Sequence, residues 1–401
     1  MSTFSYLAKR SDGVTQTGSV EAASQKAVLE VLHREGLHVV QLKPIRSRSV
    51  AMGRGVALDD LAIFARQMAT LVDAGIPIVG GLEALAEQLE NKGLREVVIQ
   101  VRDTVEAGTN FTTAIAKQTK VFSPLFVSMV RAGEASGHLD EVLDRLATYL
   151  EKSAALRRKI LSACVYPVIV IGMAVVVTGV LILKVIPAFK EIFSTLGVAL
   201  PLPTRILIWI SDTAQVFFLP GLIGLGLGAG LFQRLLMIPK WRLRFDRVLL
   251  KVKVIGPIVR KVAIARFSRT LSTLVKSGVE ILSALEIVSE TAGNRVVAEA
   301  VLQVRSSIKE GENIAAPLAA SGVFPPMVVQ MIAVGEQTGR LEDMLTKVAD
   351  FYEDQVEAAV SGLTSAIEPI IIAVLGVVVG TIVLSVFLPI FKLTQVVSGG
   401  H

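Results

Sequence analysis

The sequence predicts an all-α membrane protein: two homologous cytoplasmic six-helix bundles plus three transmembrane helices, with a small α+β N-terminal domain. Three observations carry this expectation. Of 401 residues, 52% are apolar and mean hydropathy is +0.60, above the usual range for a soluble globular domain. From Leu58 onward apolar residues recur with a helical period of about 3.6. Finally, the chain repeats itself. Phe64, Arg66, Leu71, Gly75, Leu82, Glu83, Arg102 and Gly108 recur 203 positions later as Phe267, Arg269, Leu274, Gly278, Leu285, Glu286, Arg305 and Gly311. After one deletion, Phe122, Pro124, Gly133, Glu134, Gly137, Leu139, Pro167, Pro187 and Phe189 recur 202 positions later. One register held over such a length means one architectural unit used twice.

Residues 1–43 form the N-terminal domain. Thr3 to Arg10 and Val14 to Glu21 are expected strands joined across Asp12-Gly13, a dipeptide suited to a tight hairpin. A helix N-capped by Ser24 and stopped at Gly36 follows, then a third strand over Val39 to Leu42, giving a ββαβ unit. Residues 44–57, where Arg46, Arg48 and Arg54 alternate with Ser and Gly, have no apolar face to bury and read as a basic flexible linker.

The first bundle spans 58–159, with helix signals near 58–75, 77–91, 93–108, 110–119, 123–135 and from 138 onward. Gly75 and Gly108 are stops, Pro77 suits a first turn, Asn110 is a cap, and Ser123-Pro124 supplies a cap followed by a residue that needs no amide donor. The sixth helix meets no breaker before Pro167, so it is expected to run on into a span at 160–186. Residues 160 to 183 carry no charge and measure roughly 36 Å as a helix, against a hydrocarbon core of about 30 Å. A short external segment (187–210), a second span (211–234), a basic connector (235–261), the second bundle (262–366), a third span (367–391) and a tail (392–401) complete the order.

Charge sets the expected orientation. Only Lys184, Lys190 and Arg205 lie between the first two spans, whereas nine basic residues from Arg234 to Lys261 follow the second. By the positive-inside rule the N-terminus and both bundles are cytoplasmic and the C-terminus is external. The basic excess of six (41 Lys and Arg against 35 Asp and Glu) therefore reads as membrane flanks. Nucleic acid is not expected as a partner, because aromatic residues for stacking are few. The N-terminus lacks the charged head and apolar core of a cleavable signal. The single cysteine, Cys164, reads as a small buried apolar residue.

No phosphate-cradling loop, HExxH or paired-cysteine pattern is present, so no cofactor, metal or catalytic residue is expected. Gly224, Gly226, Gly228 and Gly230 lie in an uncharged span and suit close helix packing. Attention falls instead on Gly133-Glu134-x-x-Gly137-x-Leu139 and its copy Gly335-Glu336-x-x-Gly339-x-Leu341. Structurally, Gly137 and Gly339 would stop a helix in a left-handed conformation, Leu would anchor the next helix, and Glu would fix the turn by hydrogen bonds. Functionally, Glu134 or Glu336 would contact a partner or an ion. Pro167 and Pro369 remove a helical hydrogen bond near the cytoplasmic ends of spans one and three. Glu368 is costly beside a bilayer unless it reaches water or a partner.

These residues, with Phe64-x-Arg66-Gln67-x-x-x-Leu71-x-x-x-Gly75, Arg158-Lys159-Ile160 leading to Tyr166-Pro167, Leu200-Pro201-x-Pro203-Thr204 and Glu368-Pro369, resemble the PilC/GspF family over nearly the whole chain. These are inner-membrane platform proteins of type IV pilus and type II secretion machines. The ending Phe387-Leu388-Pro389-Ile390-Phe391-Lys392-Leu393 looks more like the pilus branch. The resemblance implies no catalysis. It implies a platform whose bundles meet a hexameric assembly or retraction ATPase, whose membrane part handles pilin or pseudopilin subunits, and which joins other inner-membrane alignment proteins and forms a homo-oligomer. One departure is Val279-Glu280 in the second repeat where the first has Ile76-Pro77. A transporter or channel is the alternative of another class, weakened by the lack of charged residues within the spans. A membrane enzyme stands third.

Overall fold

The computed structural model of the chain describes residues 2–10, 15–22, 37–45, 55–188, 191 and 202–398. Three strands, β1 (Ser2–Arg10), β2 (Thr15–Ala22) and β3 (Leu37–Ile45), form an antiparallel sheet in the order β2-β1-β3. Tyr6 faces Gly18 on one side and Leu42 on the other, and the β1–β3 register shifts between Leu7 and Ala8. Each expected strand is present. β3 runs longer than its apolar core because β1 pairs with it from Arg10 to Thr3. The Asp12-Gly13 turn, the helix from Ser24 to Gly36, residues 46–54 of the linker and His401 lie outside the described residues.

The first bundle comprises α1 (Leu58–Asp73), α2 (Ile78–Gln88), α3 (Lys92–Glu106), α4 (Phe111–Ala116), α5 (Pro124–Ser136) and the start of α6 (Leu139–Val180). Caps explain its punctuation. Asn110 Oδ1 accepts the Thr113 N–H at 3.1 Å, and Ser123 Oγ accepts that of Phe126 at 3.3 Å, with Pro124 next in line. Pro77 is the N-cap of α2 rather than part of its first turn. Asn91, not expected as a cap, accepts from Gly93 and Leu94 at 3.0 and 3.2 Å.

The second bundle repeats the plan in α9 (Ile255–Lys276), α10 (Ile281–Thr291), α11 (Arg295–Lys309), α12 (Ala315–Ala320), α13 (Pro326–Thr338) and the start of α14 (Leu341–Ser398). Asn294 caps α11 as Asn91 caps α3. Buried rings mark equivalent cores: Phe64 and Phe122 lie 6.0 Å apart, and Phe267 and Phe324 lie 4.7 Å apart. The buried apolar residues of both bundles form one contiguous cluster.

Between them, α7 (Leu202–Met237) and α8 (Pro239–Lys251) carry the chain back. Several elements outrun their sequence signals. α7 begins at Leu202 because Pro203 falls in a first turn, where its missing amide costs nothing. α9 begins at Ile255, ahead of Val262, although Gly256 and Pro257 look like breakers. Pro257 again occupies a first turn, and a side chain on Gly256 would collide with the Leu250 carbonyl oxygen. α8 itself was hidden in a stretch dominated by its charges, and α14 continues past Phe391 to Ser398.

The helices Leu139–Ala188 and Leu341–Ser385 are long and apolar enough to cross a membrane. Only 6% of either apolar stretch is buried within the protein, so these surfaces face outward. Cys164 is one such outward residue, exposed on α6 and not buried as its apolar setting suggested. An apolar run in a helix that leaves the core keeps its composition but loses its protein neighbours. The helical path of α6 continues through a π turn, Leu181–Val185. Ile182 O accepts from Ser211 Oγ of α7 at 2.5 Å, and Thr204 Oγ1 donates to Ser385 O of α14 at 2.7 Å. Ile186, Ile208 and Ile382 are buried together at this far end.

Candidate functional site

The repeated glycine–glutamate motif forms the joint between α5 and α6, and its copy joins α13 to α14. Gly137 and Gly339 take φ of 75° and 70°, a left-handed turn that a side chain would strain. Gly133 and Gly335 serve a different need. An added Cβ on Gly133 would lie 3.0 Å from Val142 Cβ, and on Gly335 it would lie 3.0 Å from Leu341 Cα. The first glycine thus lets the two helices cross closely, which the sequence pattern had not revealed.

Glu134 reaches away from its own turn. Its two carboxylate oxygens accept the backbone N–H groups of Phe111 at 2.9 Å and Thr112 at 3.0 Å, at the start of α4. Glu336 does the same for α12, accepting from Ile314 at 2.8 Å and Ala315 at 3.4 Å. Each acid satisfies helix-end donors that would otherwise lack partners. The two acids are engaged separately, each within its own bundle. Among the described residues no group of three or more His, Cys, Asp and Glu side chains is placed to hold a metal ion.

A second repeated feature ties the first helix of each bundle to its sixth. Arg66 donates from Nε and Nη2 to the two oxygens of Glu151 at 2.7 and 2.8 Å, and also meets Asp144 and, at 2.9 Å, Thr148. Arg269 grips Glu353 in the same fork, 2.8 Å on both arms, and also meets Asp350. The hydrogen bonds from Arg66 hold the Glu151 carboxyl below its ordinary range. Burial pushes Asp350 upward, but hydrogen bonds from Arg269 and Lys152 outweigh it and leave it lowered. The recurrence of Arg66 was visible in sequence. Its acid partner recurs as well, Glu151 at Glu353, and that coincidence was the signal available.

The long helices are also joined to each other. Lys152 of α6 pairs with Asp350 of α14 at 2.9 Å, and Lys159 pairs with Glu357. Tyr149 Oη lies 3.2 Å from Thr270 Oγ1, and Arg145 donates to the Lys276 carbonyl at 2.5 Å. Below these links a groove of about 460 Å³ opens between α6 and α14, lined by Lys159, Ser162, Glu357, Ser361, Thr364 and Ser365 among others. Further along, an apolar groove of about 540 Å³ lies between Ile171, Val175, Gly179, Ile370, Val374 and Val378. Pro167 is buried, and both long helices pass through their prolines without interruption. Glu368 and Pro369 are exposed. They are not brought together with Glu134 or Glu336, which cap helices inside the bundles.

This doubled unit, bundle plus continuous apolar helix, coincides with what comparison with known proteins finds. Residues 64–187 and again 267–389 match the family model of type II secretion system protein F, and residues 1–43 match that of its N-terminal domain. The chain belongs to the type II secretion system protein F family. A type IV pilus assembly protein PilC of Myxococcus xanthus is 43% identical, covering 98% of this chain and 96% of its own. The PilC of Thermus thermophilus is 45% identical over 99% of this chain and 100% of its own. A type II secretion system protein F of Vibrio cholerae is 37% identical over 99% of this chain and 100% of its own. The repeat seen as one register in the sequence is thus the family's own domain used twice.

Proposed function

We propose that this chain is a non-enzymatic inner-membrane platform that couples a cytoplasmic hexameric ATPase to the assembly of type IV pilin subunits, and in reverse to their retraction. The observation that carries the reading is mechanical. The sixth helix of each bundle leaves the bundle core and continues as an apolar helix. Arg66–Glu151 and Arg269–Glu353 clamp that helix to its bundle, and Lys152–Asp350 and Lys159–Glu357 link the two helices to each other. A bundle displaced by a partner would carry its helix with it, moving work into the bilayer without chemistry in this chain. The physical requirement for coupling of this kind is a two-state element whose equilibrium both sites bias.

In this reading α6, α7 and α14 are three spans, the bundles and N-terminus lie in the cytoplasm, and the C-terminus is external. The exposed apolar faces and the groove between Ile171 and Val374 receive pilin helices, other inner-membrane alignment proteins or a second copy of the chain. The pilus branch is preferred over the secretion branch because of the Phe387 to Leu393 ending and the 43–45% identity to the two PilC proteins, against 37% for the secretion protein. Glu134, Glu336, Gly133, Gly137, Gly335 and Gly339 serve this function by shaping the bundle surface, and Pro167, Glu368 and Pro369 by shaping the bundle–span boundary. The test is deletion of the gene with complementation. Loss of filaments, restored by the wild-type gene, together with co-purification of the full-length protein with the ATPase, is expected. Filaments in the deletion strain would exclude the role.

A further inference from the structure

α8, between α7 and the second bundle, is a regular amphipathic helix with both of its outer stripes exposed. Trp241, Phe245 and Val248, with Val252 at the C-cap, repeat at helical spacing, and all four are exposed at 38–62%. One position earlier at each step stand Lys240, Arg244, Arg247 and Lys251, also exposed. An apolar stripe therefore runs beside a purely basic one. Among the described residues, none of these four cations is ion-paired, and the Arg244 guanidinium rests 5.8 Å from the centre of the Trp241 ring. The opposite face is spoken for: buried Asp246 accepts the backbone N–H of Arg295 at 2.7 Å, tying α8 to the start of α11.

Two observations fix the level at which these stripes lie. The chain turns sharply at Ile238, the one residue between α7 and α8. Phe245 then folds back onto Phe232, with ring centres 5.6 Å apart in an edge-on contact. Phe232 belongs to the uncharged run 213–233 of α7. A side chain touching it stands at the boundary of the apolar layer.

We propose that α8 is an interfacial helix. It lays Trp241, Phe245, Val248 and Val252 into the cytoplasmic leaflet, while Lys240, Arg244, Arg247 and Lys251 engage the headgroups of anionic phospholipids. A strongly polar basic face beside an apolar one is the signature of a helix lying in the plane of a membrane surface. Its inner face, through Asp246, then sets the tilt of the second bundle against the bilayer. Among the described residues, the first bundle carries no such helix. The proposal rests on the reading of α7 as a membrane span.

Full-length protein carrying Trp209→Phe, which leaves Trp241 as the single tryptophan, is placed in nanodiscs. Quenching is compared for phospholipids brominated high on the acyl chain and for aqueous iodide. Bromolipid is expected to quench Trp241 strongly and iodide at least twofold less than it quenches free tryptophan. Both effects are expected to weaken when phosphatidylglycerol is replaced by neutral lipid, or when Lys240, Arg244, Arg247 and Lys251 are all changed to Gln. A second protein, Phe232→Trp with both native tryptophans changed to Phe, reports on the span. Quenching of that reporter without quenching of Trp241 overturns the proposal and leaves the span intact; quenching of neither overturns the membrane reading itself. Trp241 shielded from iodide but untouched by bromolipid means that protein covers α8, and this also overturns the proposal. Equal lipid quenching in neutral and anionic discs refutes the anionic preference.

Discussion

Glu134 Oε1 accepts the backbone N–H of Phe111 at 2.9 Å, so the acid at the end of α5 holds the beginning of α4, 23 residues earlier. Together with the Thr112 bond it replaces water at two helix-end donors. Glu134→Ala is expected to destabilise the first bundle by about 1–3 kcal/mol, the usual loss when a part-buried charged acceptor is removed. Amide hydrogen exchange should rise first at Phe111 and Thr112. Glu336→Ala should cost less, since its second bond is 3.4 Å. Unchanged exchange in both variants would show that the acids are held for another purpose.

The two glycines of the motif should fail differently. Gly133→Ala forces a Cβ to 3.0 Å from Val142 Cβ and 3.2 Å from Val142 Cγ2, so trimming with Val142→Ala, which removes the Cγ2 contact alone, should recover part of the lost melting temperature. Gly137→Ala meets no neighbour within 4 Å but sits at φ 75°, and should cost about 1–2 kcal/mol of backbone strain that Val142→Ala leaves untouched. Equal rescue of both by Val142→Ala would contradict this division.

Much of this was legible in the sequence because repetition filtered it. The left-handed glycines, the start of α6 at Leu139 and the recurring Phe64, Phe122 and Arg66 all follow from composition at fixed offsets. What stayed hidden depended on neighbours far along the chain. The reach of Glu134 to α4 and the Lys152–Asp350 link across bundles have no local spacing to announce them. α8 is hard to read from the sequence because its basic residues look like a membrane flank and mask its apolar stripe. The exposure of Cys164 is not legible because apolar composition does not distinguish a core from an outward-facing surface.

The clamp arginines should differ in weight. Arg269 exposes 11% of its side chain and Arg66 36%, so Arg269→Ala leaves more uncompensated charge behind. We expect a loss of about 2 kcal/mol or more at Arg269 and below about 1 kcal/mol at Arg66. Glu151 and Asp350 are both lowered relative to their ordinary values. Their contribution is therefore complete above the ordinary carboxylate range near pH ~4 and is lost as pH falls through the lowered values. Denaturation midpoints measured from neutral pH downward should drop less in Arg269→Ala than in wild type. An identical acid profile would mean that the clamps do not contribute.

The proposed topology rests on the basic connector. Reporter fusions after Lys261 should give a cytoplasmic signal and fusions after Val397 an external one. The opposite result at either site would overturn the three-span arrangement.

In the proposed mechanism, work passes from bundle to bilayer along one unbroken helix. A short flexible Gly/Ser insertion after Lys159, at the boundary between the first bundle and its apolar run, breaks that continuity while leaving the bundle and span sequences whole. Filament number is counted per cell, with co-purification of the ATPase measured in the same strains. Retained ATPase binding with loss of filaments is the predicted result. Normal filament number with the insertion in place would contradict it.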